Sequence, residues 1–269
     1  MKEPANSKKD TARSELRSWL WSGACVVMII AAIPFARGFQ KFVYAEVGSA
    51  FFTCIVFAGI GIGLGIPIYL LTFKLKITDV ARYVWLFLCA GLYFYITISL
   101  NESPEEALHL IEYGLLSYLL FRALRYRIHD RTIYPVTTFI VLIFGILDEF
   151  IQWLTPGRYW GYNDVGLNTL AGGLFMLGLA MGIKPEGINK PVRKNSVRLL
   201  AAAATTALIM SGLCLLNTPS VVSQYSSYMP ALSWLRNEEP MTNFDATNAL
   251  AGMAAAIAAT WLLAGIWIR

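Results

Sequence analysis

Eight stretches of this chain are apolar for roughly 20 residues at a time, and as a helix each is long enough to cross the ~30 Å hydrocarbon core of a bilayer. They fall at 19–36, 47–73, 80–100, 104–124, 133–154, 162–183, 197–216 and 246–268. The runs are continuous, not alternating, so they suit helices and not the strands of a membrane barrel. Charged residues make up 14% of the 269 positions, against about a quarter in soluble domains, which excludes a soluble globular protein. The expected fold is all-α, a polytopic transmembrane helical bundle of about eight spans.

The first run is longer than the apolar region of a signal peptide, and no small-residue cleavage pattern follows it, so it reads as an uncleaved span. Residues 1–18 before it are polar and basic, as in a disordered cytoplasmic tail. The net charge of +5 has its explanation in the loops. Counted on alternate sides of the eight runs, Lys and Arg divide 18 to 4. The richer side holds the N-terminal tail, 74–82, 122–131, 184–198 and Arg269; the poorer holds Arg37, Lys41, Arg158 and Arg236. Positive residues mark cytoplasmic loops, so both termini are expected in the cytoplasm and no nucleic-acid partner is implied. Cys25, Cys54, Cys89 and Cys214 each lie inside an apolar run without metal or disulfide spacing.

Ionisable residues inside such runs are costly and point to function by default. Asp148 and Glu149 lie near the outer end of the fifth run, with Gln152 one turn on. The alternative is an inter-helix polar clamp that only holds the bundle together. Ser103-Pro104-Glu105-Glu106 is a helix-start signal, placing His109 about one turn and Glu112 about two turns into the fourth run. Glu105, His109 and Glu112 share one face there, with Tyr113 beside it. Asp148 and Glu149 diverge by about 100° around their helix, so one addresses a pocket while the other holds Arg158 or His109. Arg158, Tyr159, Trp160 and Tyr162 follow in the outer loop. Asp164 opens the sixth run and Asn168 lies one turn below. Residues 243–252 faintly echo 163–172, which brings Asp245 to the same mouth; N-capping explains both segments as well. The alternating Gly59, Gly61, Gly63 and Gly65 of the second run read as a close helix-packing surface and not as a phosphate loop.

His109-Leu110-Ile111-Glu112-Tyr113, Asp148-Glu149 with Gln152, Pro156-Gly157-Arg158, and Asp164 with Asn168 and Gly172 together resemble the VanZ-like membrane proteins, whose best-known member is associated with teicoplanin resistance. The resemblance covers about 80–184, a four-helix core between two N-terminal spans within 19–79 and two C-terminal spans within 185–269. It implies a multi-pass protein of the bacterial plasma membrane with a polar site facing the periplasm or cell exterior. Many such proteins look to have histidine where this chain has Ile151, which argues against a two-histidine metal site; the other histidine, His129, is cytoplasmic.

Three functions compete. An intramembrane enzyme would use one carboxyl group kept protonated by a low-dielectric site and a second kept ionised by its partners. That division suits glycosidic or phosphoester chemistry on a lipid-linked glycan or polar envelope lipid. Glu112, Glu149 and Asp148 are then the catalytic carboxyls and His109 their partner. Glu105, Tyr113, Gln152, Arg158, Asp164, Asn168 and Asp245 bind and orient the substrate. A non-enzymatic binder of a glycopeptide or envelope precursor is the second reading, and a lipid or small-molecule transporter the third. The third is disfavoured because the polar residues gather at one leaflet. No cofactor is expected, although the hard oxygen ligands would also suit a divalent cation. The loop 217–245 reads as a lid or an interfacial helix.

Overall fold

The computed structural model describes residues 5–100, 103–155 and 161–216, with Ala254, Ile257 and Ala258. Every regular element among them is helical: α1 Ala5–Glu46, α2 Ala50–Tyr69, α3 Val80–Ser99, α4 Leu108–Leu124, α5 Ile133–Trp153, α6 Tyr162–Leu177 and α7 Lys194–Leu216. Two helices end in π turns, α2 through Leu70–Lys74 and α6 through Gly178–Ile183. Among the described residues, six segments are long and apolar enough to cross a membrane. The protein is therefore an all-α, multi-span membrane bundle. α4, with 17 residues, is shorter than these six. The eighth apolar run and the loop 217–245 lie outside the described residues, apart from Ala254, Ile257 and Ala258, which are helical.

α5 and α6 form the centre. About two thirds or more of each is buried, whereas α2, α3 and α7 expose most of their apolar side chains, among them Ile62, Phe73, Phe87 and Leu208. Such a surface fits hydrocarbon and would be untenable in water. α4 and α5 both pack on α6, α1 lies across α4 and α5, α7 covers α5, and α2 and α3 close the side formed by α4 and α6. Ile257 packs against the core built mainly by α5, α6 and α7.

Two expectations change here. The basic tail is helical from Ala5, and α1 continues through Arg37 and Lys41 to Glu46, beyond the expected span of 19–36. Good helix formers such as Lys8, Lys9, Ala12, Glu15 and Leu16 carry the helix on at one end, and the ion pair of Arg127 Nε with Glu15 Oε1 at 2.5 Å ties it to the loop after α4. The glycine row also divides. A Cβ at Gly59 would lie 2.6 Å from Ile111 of α4, but Gly61, Gly63 and Gly65 have no such neighbour within 4 Å. The closest approach in the centre is made elsewhere, at Gly172, where a Cβ would stand 2.7 Å from Val141.

The bundle has two chemically distinct ends. At one, the loops 125–132 and 184–193 meet: Lys190 N donates to the His129 carbonyl at 3.1 Å, and buried Asp130 accepts from Thr132 N at 3.0 Å. At the other, Gln40 Nε2 of α1 donates to Glu105 Oε1 at 2.6 Å, and Tyr44 donates to its second oxygen. Gly48, at φ +97, takes up the left-handed backbone that reverses the chain between α1 and α2.

Candidate functional site

At the second end, the buried face of α5 presents Asp148, Glu149 and Gln152 to α4 and α6. Glycine makes that possible. A Cβ on Gly145 would come within 3.2 Å of the Asn168 Cβ, so the bare backbone there lets α6 seat Asn168 against α5 without crowding. α6 begins at Tyr162, so Gly161 just precedes it with an extended backbone. Its N–H points back to α5 and donates to Glu149 Oε2 at 2.9 Å.

The two adjacent acids are held by different partners, as their 100° divergence requires. Glu149, 0% exposed, accepts from Gln152 Nε2 at 2.9 Å as well as from Gly161. Asp148, 2% exposed, accepts the Tyr113 hydroxyl from α4 through Oδ2 at 2.9 Å, while its Oδ1 is enclosed with no hydrogen-bond partner. Asn168, 0% exposed, has neither its Nδ2 nor its Oδ1 hydrogen-bonded. Buried polar groups are ordinarily satisfied, so unoccupied atoms on Asn168 and Asp148 identify polar capacity that the described residues do not use.

His109 and Glu112 stand on the next turns of α4. His109 Nδ1 and Glu112 Oε2 are 3.4 Å apart, and the two side chains are 17% and 32% exposed, the open edge of the group. The His109 and Tyr113 rings lie 6.1 Å apart. His109 is also within electrostatic reach of Asp148 and Asp164. Asp164 in turn is within electrostatic reach of Glu149 and Glu106, and its Oδ2 lies 3.0 Å from the position a Gly161 Cβ would occupy.

The structure thus brings together nine of the features named from the sequence or found beside them: His109, Glu112, Tyr113, Asp148, Glu149, Gln152, Asp164 and Asn168, with the Gly161 N–H. Glu105 is directed differently, to Gln40 and Tyr44 of α1, because regular helix starts at Leu108 and the residues before it wind in tighter i to i+3 turns. Gln152, spaced i, i+4 from Asp148, donates to Glu149 at i−3. Arg158 and Asp245 lie outside the described residues, as does the Pro156-Gly157-Arg158 motif. Among the described residues no group of three or more His, Cys, Asp and Glu side chains is set to hold a metal ion, so the divalent-cation reading finds no ligand set there. The Gly161 N–H and the α1 side chains Gln40 and Tyr44 escape sequence reasoning. A backbone donor has no residue signature, and α1 reaches Glu105 across 61 and 65 positions.

A five-residue stretch of α4, three residues of α5 and two of α6 therefore supply one polar cluster, in the order the sequence motifs follow. The VanZ/LLP1 family model matches residues 20–184, more than half of the chain. The chain belongs to the VanZ/LLP1 family. Comparison with curated proteins and with solved structures gives no match. The VanZ/LLP1 match begins at residue 20, not near residue 80, and so takes in most of α1 and all of α2 as well as the helices that carry the cluster. That extension agrees with the contacts: α1 packs on α4 and α5, and α2 on α4.

Proposed function

We propose that this VanZ/LLP1 protein is an intramembrane enzyme that uses carboxylate acid/base chemistry on a lipid-linked glycan or polar envelope lipid. The reading includes eight spans, both termini in the cytoplasm, and the polar cluster at the outer leaflet of a bacterial plasma membrane. One observation carries it: two adjacent enclosed carboxyl groups, Asp148 and Glu149, have unequal partners. Glu149 has a donor on each oxygen, whereas Asp148 takes the Tyr113 hydroxyl on one oxygen and has the other enclosed without a hydrogen bond. Groups with different surroundings divide acid and base roles. Glu112, Glu149 and Asp148 are the catalytic carboxyls, with Glu112 and Glu149 the acid/base candidates and Asp148 set apart from Glu149 by its different partners. His109, against Glu112, is the proton partner, and Asn168 with Asp148 Oδ1 orients substrate hydroxyls. Arg158 is the anchor for an anion or sugar. A transport route is disfavoured because the polar residues gather at one leaflet and form no path across.

The test is incubation of the purified protein with isolated envelope lipids, followed by mass spectrometry. A product formed by the native chain, and lost in Glu149→Gln with thermal stability retained, is the expected result. Saturable lipid retention with no product under any condition would replace the enzyme by a binding protein. A Glu149→Gln chain that no longer inserts or folds would make the cluster a structural clamp.

A further inference from the structure

A second site lies on the opposite face of α4 from the carboxylates. His109, Glu112 and Tyr113 point one way around that helix; Leu110, Gly114 and Tyr118 point the other, into a cavity of about 340 Å³ between α2, α3, α4 and α6. The volume is that of a small-molecule site. Its walls are apolar, among them Gly63, Pro67, Leu86, Leu174 and Ile183. Gly63 contributes an open wall, since nothing lies within 4 Å of where its Cβ would be.

The rim of this cavity is basic. Ile183 lines the cavity, and its carbonyl is met by Arg82 Nη1 at 3.5 Å. Arg82 Nε is enclosed without a hydrogen bond and has only an ion contact to Asp79 Oδ2 at 3.4 Å, an oxygen that Lys184 Nζ shares at 3.4 Å. Lys76 is exposed on the same loop as Asp79, and Lys74, also exposed, closes the π turn before that loop. These four cations outnumber Asp79 and the nearby exposed Glu186. The backbone is specialised at the same place. The helices flanking the cavity end in the two π turns, and each is followed by a lysine with left-handed backbone, Lys76 at φ 51 and Lys184 at φ 50. π turns recur at functional sites, and left-handed non-glycine residues persist where surroundings hold them.

We propose that the cavity and its rim bind an anionic glycerophospholipid from the basic-side leaflet, one acyl chain between α2, α3, α4 and α6 and the phosphate at Arg82 and Lys184. In a membrane the species that reaches an apolar side cavity is a lipid chain. The charge excess selects a negative headgroup over a zwitterionic one, as basic pockets between transmembrane helices do. Asp79, shared between two cations at long range, is the group that the phosphate displaces. The carboxylate cluster takes no part, so this proposal stands or falls apart from the enzymatic reading.

The test is native mass spectrometry of the full chain from nanodiscs of phosphatidylcholine alone and of phosphatidylcholine mixed with phosphatidylglycerol. Expected is a retained phosphatidylglycerol that phosphatidylcholine does not replace. Retention should fall about fivefold for each cation removed, in Arg82→Gln and Lys184→Gln, and be restored by Arg82→Lys. Asp79→Asn, which keeps the helix cap but removes the competing charge, should increase it. Gly63→Phe, which fills the cavity, should abolish it; should that variant unfold, the charge variants decide alone. Equal retention of both lipids, or indifference to Arg82→Gln and Lys184→Gln, would overturn the proposal.

Discussion

Tyr113 of α4 donates its hydroxyl to Asp148 Oδ2 of α5 across 2.9 Å, and neither residue is more than 2% exposed. The bond crosses the centre of the bundle and fixes which way the first of the two adjacent acids points. Its removal should be costly. Tyr113→Phe leaves a buried carboxyl oxygen without its donor, and such a loss costs about 1–3 kcal/mol. The same change made on Asp148→Leu should cost almost nothing more, because the partner is already gone. Thermal unfolding of the two single variants and the double variant in nanodiscs measures this coupling. Additive effects would mean that the pair does not act as a pair.

Asn168 makes the opposite prediction. Both polar atoms of its amide are enclosed and unpartnered, so Asn168→Leu removes groups that the bundle pays to bury and should hold or raise the melting temperature. The same variant should lose product formation or ligand retention. Stability gained with function lost is the mark of a residue kept for its ligand. A large drop in melting temperature would place Asn168 among the structural clamps.

Gly172 tests the packing that allows the cluster to form. A Cβ there would stand 2.7 Å from Val141 Cγ1, so Gly172→Ala overpacks α5 against α6 and should cost about 1–3 kcal/mol. Val141→Ala, which clears the space, should recover most of that loss in the double variant. Chemical unfolding of the three variants is sufficient to see it.

At the basic end the Asp79 carboxyl is pushed upward by desolvation, but Lys184, the Ala81 N–H and Arg82 outweigh that and hold it below the usual carboxylate range. A lowered folded value contributes stability that is present above the ordinary carboxylate value and lost as pH falls through the lowered one. The melting temperatures of the native chain and Asp79→Asn should therefore differ near neutral pH and converge in acid. Asp79 is fully exposed and the gap should be small. A gap that widens on acidification contradicts the assignment.

Topology is open to chemical labelling. In a cysteine-free background, Lys190→Cys and Glu105→Cys lie at opposite ends of the bundle. A membrane-impermeant maleimide added outside intact cells should label Glu105→Cys and spare Lys190→Cys. The reverse pattern would turn the cluster toward the cytoplasm.

Much of the architecture was legible in run length alone. Five spans expected from apolar runs, from 47–73 through 197–216 with the fourth set aside, match α2, α3, α5, α6 and α7 within a few residues, counting the π turns. A chain in hydrocarbon must satisfy its backbone internally, so an apolar run of that length has little choice but helix. Two ends are misplaced for opposite reasons. α1 runs on through Arg37 and Lys41 after its apolar run stops, whereas α4 waits until Leu108 because the residues after Ser103-Pro104 wind in tighter i to i+3 turns.

For the site, the chain by itself settled which residues carry charge inside the membrane and, through helical period, that Asp148 and Glu149 cannot share one partner. Periodicity has no information on which helix faces which. Only packing gave Tyr113 to Asp148, gave the Gly161 N–H to Glu149, turned Glu105 aside to α1, and left Asn168 unsatisfied. Those outcomes depend on contacts between distant segments, set by where glycine lets two backbones approach, and no local rule in the sequence contains them.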